Sequence, residues 1–530
     1  MTRMIAWGVM AMVVLAIAAP MAGAELLAGA AKVAITPKDP AYLAGYDSNR
    51  LSTRVQSDIW ARALVLKSGD KTLTLVTLDL LGWPYARLAK LRQMVKSVPA
   101  DTLLVASTHS HSAPDPIGLW GPEPTKSGVN QAWMEETYTK IVAAIDQAAK
   151  SLQPARLRLG AVETKGIATN IRVPRINDAE LRVLQLVDAQ GKAIATVANL
   201  ACHAEIMQND LLSADFPGYY YQQIEQDLGG VAMFVNGAQG GMVTADIPGL
   251  YQKEGQDNSA DAQKIGLAVA TETKRALEGA ATLDNPSLSY RFVDLLLPLD
   301  NERYRAGMSA GLLPNVLEEG KVHTQVAVIA LGPAQIVTAP GELLPNLGLR
   351  LKRMMTGQPR FVFGLTQDEL GYILSEDDWG LDIYKYESNT GPGPKTWPLL
   401  LSTLLPVLAE VKPAAAAPAA PAAGQGGVAA GCGGLTAKFK PEAAEGMNAV
   451  YCFKITGDGG GDWTVAIADR KCAVAPKAAE KADLTVTISA QDWLDLLAGK
   501  LDPMAALAAG KLVLDGDMGL ATKIPELFLN

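Results

Sequence analysis

The sequence predicts two domains of mixed α/β architecture, one large and one small, joined by a linker. In residues 25–410, apolar runs of strand length alternate with stretches of helical periodicity. Residues 411–434 are rich in alanine, proline and glycine, and they lack the large apolar side chains that offset the entropy of ordering. With 530 residues, of which 49% are hydrophobic, the chain can bury more than one core. The second predicted domain is therefore 435–530.

Residues 1–24 are predicted to be a cleavable signal peptide. Arg3 precedes a short apolar run, and the segment closes on Ala22-Gly-Ala24, an A-x-A cleavage pattern. The run is short for a membrane span, and no other stretch approaches about 20 uninterrupted apolar residues. We therefore expect a periplasmic or secreted protein, with an uncleaved anchor as the alternative.

The charge and the cysteine content argue against a nucleic-acid partner and against a thiolate zinc site. The formal charge is -8 with dispersed Lys and Arg, so no nucleic-acid partner is expected. The cysteines form no C-x-x-C pair, which argues against a thiolate zinc site. In an oxidising compartment, Cys452 and Cys472 form a disulfide or remain separate thiols.

The elements follow from apolar periodicity and turn residues. A hairpin is expected around the Gly-Asp turn at 69–70, and Pro84 favours a helix start. The opening is expected to be irregular. Further strands of the large domain are predicted at 156–163, 182–188, 192–200, 231–235 and 360–364, with a strand-rich stretch at 287–339. Its helices are predicted at 84–95, 131–151, 215–228, 259–277 and 343–355. The small domain is expected to contain strands at 449–456, 463–468, 484–488 and 511–515, and helices at 489–498, 503–508 and from 518.

Two histidine segments are candidate functional sites. His109 and His111 follow an apolar strand, and side chains at i and i+2 of an extended chain point to one side. His203 follows a second apolar strand, at the kind of loop where α/β scaffolds present catalytic groups. The chain has four histidines, so this placement favours a metal or acid/base site. Hydrogen-bonded structural histidines are the alternative.

The large domain resembles the neutral, non-lysosomal ceramidase family of zinc amidases, which split the amide of ceramide. The matching segments, in chain order, are 33–37, 44–46, 61–64, 108–112, 170–172, His203, 213–215, 340–342 and 371–372. The resemblance implies four zinc ligands: His109, His203, Glu342 and Tyr372. Two imidazoles and two oxygens suit Zn²⁺.

The resemblance also implies roles for residues around the metal. His111 would move a proton or hydrogen-bond the developing oxyanion. Asp215 would either orient a ligand imidazole or cap a helix. Arg172 would either hold a substrate oxygen or be an ordinary exposed arginine. The family's active-site serine aligns with Gly240, so metal-activated water is the expected nucleophile and the substrate contacts must differ there.

The small domain resembles the sterol-carrier-protein type of lipid-binding module through residues 482–488, 499–503 and 510–519. The resemblance implies a five-stranded sheet whose helices enclose an apolar tunnel. Five leucines either line that tunnel or fill a core: Leu496, Leu497, Leu507, Leu520 and Leu527.

Together these features predict an exported zinc-dependent amidohydrolase that acts on a ceramide-like or other N-acyl lipid. The appended module would raise the local concentration of substrate and allow peripheral membrane contact. Two alternatives remain open: an envelope lipid carrier whose hydrolase domain is inactive, and a zinc hydrolase of a non-lipid amide or ester.

Overall fold

The computed structural model describes residues 24–414, 435, 439–457, 460–479, 481–497, 501 and 503–528. The predicted signal peptide, apart from Ala24, and linker residues 415–434 lie outside this part of the chain. Among the described residues, no helix combines the length and apolarity that a membrane crossing requires.

The large domain is built from strands and helices that alternate along the chain. Its strands are β1 Leu26–Ala34, β2 Arg54–Val55, β3 Trp60–Ser68, β4 Lys71–Leu78, β5 Leu103–Ser107, β6 Gln153–Pro154, β7 Arg156–Glu163, β8 Ala168–Asn170, β9 Glu180–Val187, β10 Ala193–Leu200, β11 Leu211–Leu212, β12 Val231–Asn236, β13 Val243–Ala245, β14 Thr282–Leu283, β15 Leu288–Leu297, β16 Val316–Glu318, β17 Lys321–Leu331, β18 Ala334–Thr338, β19 Glu342–Leu343, β20 Arg360–Phe363 and β21 Tyr372–Ile373. Its helices are α1 Tyr85–Met94, α2 Gln131–Lys150, α3 Phe216–Leu228, α4 Ser259–Leu277, α5 Glu302–Ser309, α6 Pro345–Met354, α7 Lys385–Thr390 and α8 Thr396–Glu410.

Three main sheets organise this domain. Their strand orders are β5-β4-β3-β1-β6, β12-β10-β9-β7-β14 and β15-β17-β18-β20. Most neighbours are antiparallel, but each sheet also contains a parallel pair: β4 with β5, β10 with β12, and β18 with β20. The loops that follow the carboxyl ends of these strands carry the candidate site.

The three sheets share one apolar core because alternate side chains of each sheet point into it. Leu64 and Leu66 enter from the first sheet, Leu184 from the second, and Ile329 and Phe363 from the third. The intervening residues of the strands point the other way. There α1 and α2 cover the first sheet, α3 and α4 the second, and α6 and α8 the third. Burial on both faces explains why these strands are near-continuous apolar runs.

One prediction about the large domain was wrong. The predicted irregular opening contains β1, which pairs antiparallel with β3 from Leu26↔Ser68 to Ala34↔Trp60. The predicted strand-rich stretch at 287–339 is present as β15 to β18. It also contains a helix that was not predicted, α5, whose first turn is capped because Asn301 accepts a hydrogen bond from the Arg303 amide.

The small domain contains a five-stranded sheet in the order β24-β23-β22-β25-β26, as the resemblance implied. Its strands are β22 Asn448–Thr456, β23 Gly461–Ala468, β24 Lys471–Ala475, β25 Leu484–Ser489 and β26 Leu512–Gly516, and its helices are α9 Ala490–Leu497, α10 Pro503–Ala508 and α11 Met518–Phe528. The short edge strand β24 was not predicted. Of the five leucines, Leu496, Leu520 and Leu527 pack in the core cluster of this domain, and Leu507 is half-buried. The side chain of Leu497 lies outside the described part.

Of the two alternatives for Cys452 and Cys472, separate thiols are present and the disulfide is not, because the two residues lie on strands that do not pair with each other. Strand β23 lies between them. Cys452 is opposite Thr464 on one side of β23, whereas Cys472 is opposite Ile467 on the other.

Candidate metal centre

The candidate site lies where the carboxyl ends of the three parallel pairs meet. His109 follows β5, His203 follows β10, and Glu342 follows β18. Hydrogen bonds join these ends: the Ser107 amide donates to the Leu365 carbonyl, and the Gly364 amide donates to the Asn236 carbonyl. Residues distant in sequence therefore meet in one buried cluster, as expected at the carboxyl edge of a parallel arrangement.

The two histidine segments run side by side. Ser110 and Ala204 form a parallel bridge, and the His111 amide donates to the Ala204 carbonyl. His109 and His111 converge, with ring centroids 4.8 Å apart, but not by strand alternation. Strand β5 ends at Ser107, and His109 has a φ of +66°, in the left-handed region. The predicted convergence is present, although the extended backbone proposed as its cause is absent.

Three donor atoms face one another within this cluster. Glu342 Oε2 lies 3.0 Å from His203 Nε2 and 3.4 Å from His109 Nε2. The remaining ring nitrogens are engaged, because His109 Nδ1 lies 2.7 Å from the Leu81 carbonyl oxygen and His203 Nδ1 lies 2.9 Å from that of Val243. Main-chain carbonyls thus fix both rings with Nε2 toward Glu342, which is how proteins commonly orient metal-binding imidazoles. The donor set fits a divalent cation such as zinc.

Burial and mutual charge set the protonation of this cluster. Burial lowers the pKa of His109 to about 4, although the charge of Glu342 opposes it. Burial also acts to lower the pKa of His203, but its hydrogen bond to Glu342 and the charges of Glu205 and Glu342 raise it to about 9. The pKa of Glu342 is lowered because both imidazoles outweigh the cost of burying the carboxylate. A cation would compete with the proton between His203 and Glu342.

His111 completes a group of three buried imidazoles whose nitrogens all lie within 4.8 Å of one another. Neither of its ring nitrogens has a hydrogen-bond partner among the described residues. Burial and the neighbouring imidazoles lower its pKa well below the usual value, so the ring is neutral near pH 7. Gly45, with a φ of +100°, makes room for it, because a Cβ at Gly45 would lie 2.4 Å from the His111 ring.

Tyr372 is adjacent to Glu342 in the short parallel pair of β19 and β21. Its hydroxyl helps to lower the pKa of Glu342 through a hydrogen bond, after the larger effects of the two histidines. Burial, and then the charge of Glu342, raises the pKa of Tyr372 well above its usual value. The structure therefore brings together all four residues that the resemblance named as ligands.

Asp215 lies at the N-terminus of α3. Its carboxylate accepts hydrogen bonds from the Phe216 amide at 2.6 Å and the Met207 amide at 2.8 Å. No hydrogen bond joins it to an imidazole among the described residues, because main-chain carbonyls hold both Nδ1 atoms. These contacts support the helix-capping alternative.

Arg172 is not an ordinary exposed arginine. Its Nε donates to the fully buried carboxylate of Glu387 at 2.8 Å, which ties the loop after β8 to α7. The loop bearing Arg172 also contacts the segment after Gly240, because the Ile171 amide donates to the Met242 carbonyl. The loop that carries Arg172 therefore lies against the segment that differs from the ceramidase pattern.

Gly240 cannot be replaced by serine in this backbone. A Cβ at this position would lie 2.3 Å from the Glu342 carbonyl oxygen, while the Gly240 amide donates to the Leu343 carbonyl. The close packing of two main chains thus requires glycine here, and no side chain could reach the imidazoles from it.

Sequence reasoning assigned no role to two buried carboxylates of this region, Glu205 and Glu369. Burial, and then the charge of Glu342, raises the pKa of Glu369 well above the usual range. Glu205 is two residues beyond His203, a spacing that could have drawn attention to it. No local pattern marks Glu369.

Comparisons with known proteins support both predicted resemblances. Residues 435–529 match the SCP-2 sterol transfer family. Sterol carrier protein 2 of Oryctolagus cuniculus is 38% identical over 86 residues, and that of Homo sapiens 37%; each match covers 16% of this chain and 16% of that protein. Hydroxysteroid dehydrogenase-like protein 2 of Xenopus laevis is 32% identical over 87 residues, or 16% of this chain and 21% of that protein. The chain thus matches only a small part of these relatives.

The structure is similar to that of neutral ceramidase from Pseudomonas aeruginosa, with a TM-score of 0.60 and 20% identity over 75% of this chain and 77% of that one. A ceramidase complexed with C2 gives a TM-score of 0.61 at 19% identity, over 76% of this chain and 78% of that one. At this level of sequence identity, the structural similarity establishes the fold of the large domain and nothing more.

These findings define a two-domain protein that joins a large mixed α/β domain to a small domain of the sterol-carrier type. More particularly, the large domain has the neutral ceramidase fold, and the carboxy-terminal domain is an SCP-2 domain. The predicted fold class and both resemblances are confirmed.

Proposed function

We propose that this protein is an exported, zinc-dependent amidohydrolase that acts on a lipid N-acyl amide. The observation that carries the proposal is the convergence of His109 Nε2, His203 Nε2 and Glu342 Oε2 in a domain of ceramidase fold. Two imidazoles and a carboxylate, with Tyr372 beside them, are a donor set that zinc prefers. The ion would supply Lewis-acid activation of a carbonyl and of water.

The protein's own residues prepare the site for amide hydrolysis. The Leu81 and Val243 carbonyls hold the two imidazoles in fixed orientations, which reduces the reorganisation needed during reaction. His111 is neutral and unpartnered, so it can accept a proton from the attacking water and return it to the leaving amine. Arg172, held by Glu387, is a candidate to position a substrate oxygen.

The SCP-2 domain supports a lipid as the substrate. A tethered lipid-binding module raises the effective concentration of lipid at the catalytic domain without new contacts to it. The proposed export, to the periplasm or outside the cell, rests on residues 1–24 alone.

Metal content is the direct test. Elemental analysis of the purified protein should give about one zinc per chain, and His109→Ala and His203→Ala should each abolish both bound zinc and hydrolysis of an N-acyl lipid. His323→Ala is the matched control, because His323 pairs with Asp294 and Glu318 outside the cluster. No stoichiometric zinc in protein purified without chelators would overturn the proposal.

A second function, lipid carriage, is favoured by the SCP-2 match. It predicts a protein that binds lipid through residues 435–529 but hydrolyses no amide. Lipid binding by a metal-free, inactive protein would favour this alternative.

A further inference from the structure

Residues 78–81 hold both the backbone and the ring of His109. They connect the end of β4 to the loop before α1. The Leu80 carbonyl accepts a hydrogen bond from the His109 amide at 3.0 Å, and the Leu81 carbonyl oxygen lies 2.7 Å from His109 Nδ1. The direction in which His109 Nε2 points therefore depends on where residues 78–81 lie.

Asp79 is the one polar residue of this segment, and it is 1% exposed. Its two carboxylate oxygens have separate donors. Oδ1 accepts a hydrogen bond from the Tyr221 hydroxyl at 2.8 Å, and Oδ2 accepts one from the Trp60 amide at 2.9 Å. The Asp79 amide in turn donates to the Trp60 carbonyl at 3.1 Å. Asp79 thus attaches residues 78–81 both to β3 and to helix α3.

The Tyr221 hydroxyl has little freedom to move, because its ring is fully buried and the guanidinium carbon of Arg62 lies 3.6 Å from the ring centroid. Arg62 is itself fixed, since Nη1 donates to Glu225 Oε1 at 2.5 Å and to the Ala232 carbonyl at 2.9 Å. Close packing and the cation over the aromatic face both restrict the ring. The Asp79 carboxylate therefore meets a donor whose position is set by α3 and β12.

Helix α3 also holds the loop of the second candidate histidine ligand. Asp215, at the N-terminus of α3, accepts a hydrogen bond from the Met207 amide at 2.8 Å, in the loop that follows His203. One helix is thus attached to the loops that carry both imidazoles. Contacts outside the ligand set are how proteins commonly orient metal-binding side chains.

We propose that Asp79 and Tyr221 are positioning residues that keep His109 Nε2 directed at Glu342 Oε2. They act through the Leu81 carbonyl, so neither is a ligand or a catalytic residue. The inference rests on the proposed function, because this orientation matters for a metal that His109 and Glu342 share. Partners that orient ligand histidines contribute about 10- to 100-fold to metal affinity. Loss of the contact between Asp79 and Tyr221 should therefore weaken zinc binding by about tenfold.

The first measurement is zinc affinity, by competition with a chelator, for the full-length protein and its variants. Tyr221→Phe removes the hydroxyl but keeps the ring, and it should weaken zinc binding by about tenfold, as should Asp79→Ala. Asp79→Asn should restore most of the affinity, since its side-chain amide can accept from the Trp60 amide and donate to the Tyr221 oxygen. Tyr220→Phe is the matched control, because Tyr220 is equally buried on α3 but its hydroxyl faces Thr273 of α4.

The second measurement requires neither zinc nor hydrolysis. The Nδ1 atoms of His109 and His203 face carbonyl oxygens, so each carries a hydrogen that isotope-labelled histidine makes visible by NMR in the metal-free protein. Tyr221→Phe should shift the His109 Nδ1–H signal and leave the His203 signal unchanged. Tyr220→Phe should shift neither.

The two measurements separate this inference from the proposed function. If Tyr221→Phe lowers the free energy of unfolding but leaves the His109 signal and the zinc affinity as they are in Tyr220→Phe, the contact is structural only and the inference is wrong. A wild-type protein that binds no zinc would refute the proposed hydrolase, whereas a shift of the His109 signal alone in Tyr221→Phe would still support the positioning role.

Discussion

At the scale of single residues, burial and the groups that face a carboxylate decide whether its pKa rises or falls. Glu342 lies between two imidazoles and has a lowered pKa, whereas Glu369 lies nearby without such a partner and has a pKa raised well above the usual range. Asp368 is a further case, because burial raises its pKa to about 7 although its carboxylate accepts hydrogen bonds from the Tyr85 and Glu369 amides. Buried acids thus differ in pKa because of what faces them: Glu342 has two imidazoles beside it, whereas Asp368 and Glu369 do not.

Asp368→Asn should make the protein more stable at pH 8 and reduce the pH dependence of its stability. The pKa of Asp368 in the folded protein, about 7, is higher than in the unfolded chain. Protonation of Asp368 therefore contributes its full free energy of stabilisation below about pH 4, and this contribution is lost as the pH rises through 7. Asparagine retains an acceptor for the Tyr85 and Glu369 amides without this loss, and we expect a gain on the order of 2–4 kcal/mol above pH 7. Urea unfolding between pH 4 and 8 measures it.

A suitable control is Asp188→Asn, which removes a carboxylate that also accepts two main-chain amides but lies at a turn near solvent. If wild type and Asp368→Asn give parallel curves of stability against pH, Asp368 is not the group responsible.

At the scale of elements, helix ends fix the loops that carry the site. Asp215 has a φ of +58° and joins the first turn of α3 to the loop after His203 through the Phe216 and Met207 amides. The same loop contributes the Ala204 carbonyl that holds the His111 amide. The cap of α3 therefore also stabilises the backbone that presents two histidines.

Asp215→Ala should destabilise the protein by about 2–4 kcal/mol, because it leaves two buried amides without an acceptor and places alanine at a positive φ. Asn130→Ala removes the cap of α2, where the side chain accepts only from the Trp133 amide, and should cost about 1 kcal/mol. Chemical unfolding of the two variants provides the comparison. Equal losses would show that Asp215 acts only as an ordinary helix cap.

At the scale of the whole molecule, the two domains have separate cores. The apolar clusters of the large domain contain residues up to Val411, and that of the small domain begins at Leu435. Val411 itself packs in the large domain, and the Ala414 amide donates to the Gly332 carbonyl, so the start of the predicted linker is attached to that domain.

Deletion of residues 415–530 should leave a folded large domain that, under the proposed function, still binds zinc and hydrolyses amides. We expect kcat/KM for a small soluble N-acyl amide to stay within about twofold, and that for the same amide in lipid vesicles to fall about tenfold or more, because the tethered lipid module is lost. The thermal midpoint and zinc content of the truncated protein check that the domain is intact. An equal loss on both substrates would instead indicate that the SCP-2 domain supports the catalytic domain directly.

The sequence by itself determined the two-domain organisation, the main strands and helices, and the histidine segments. These features depend on local properties: apolar periodicity, the alanine- and proline-rich composition of 411–434, and polar residues that follow buried strands. Glu342 and Tyr372 came only from resemblance, because an acid after Pro-Gly and a tyrosine in an apolar stretch carry no local signal of their own.

Tertiary structure alone decided how these residues meet. The left-handed backbone at His109, the main-chain carbonyls that orient the imidazoles and the glycine contact at Gly240 all depend on segments far away in sequence. Strand β1 escaped prediction for a related reason: its small residues are buried only because β3 and α2 pack against them.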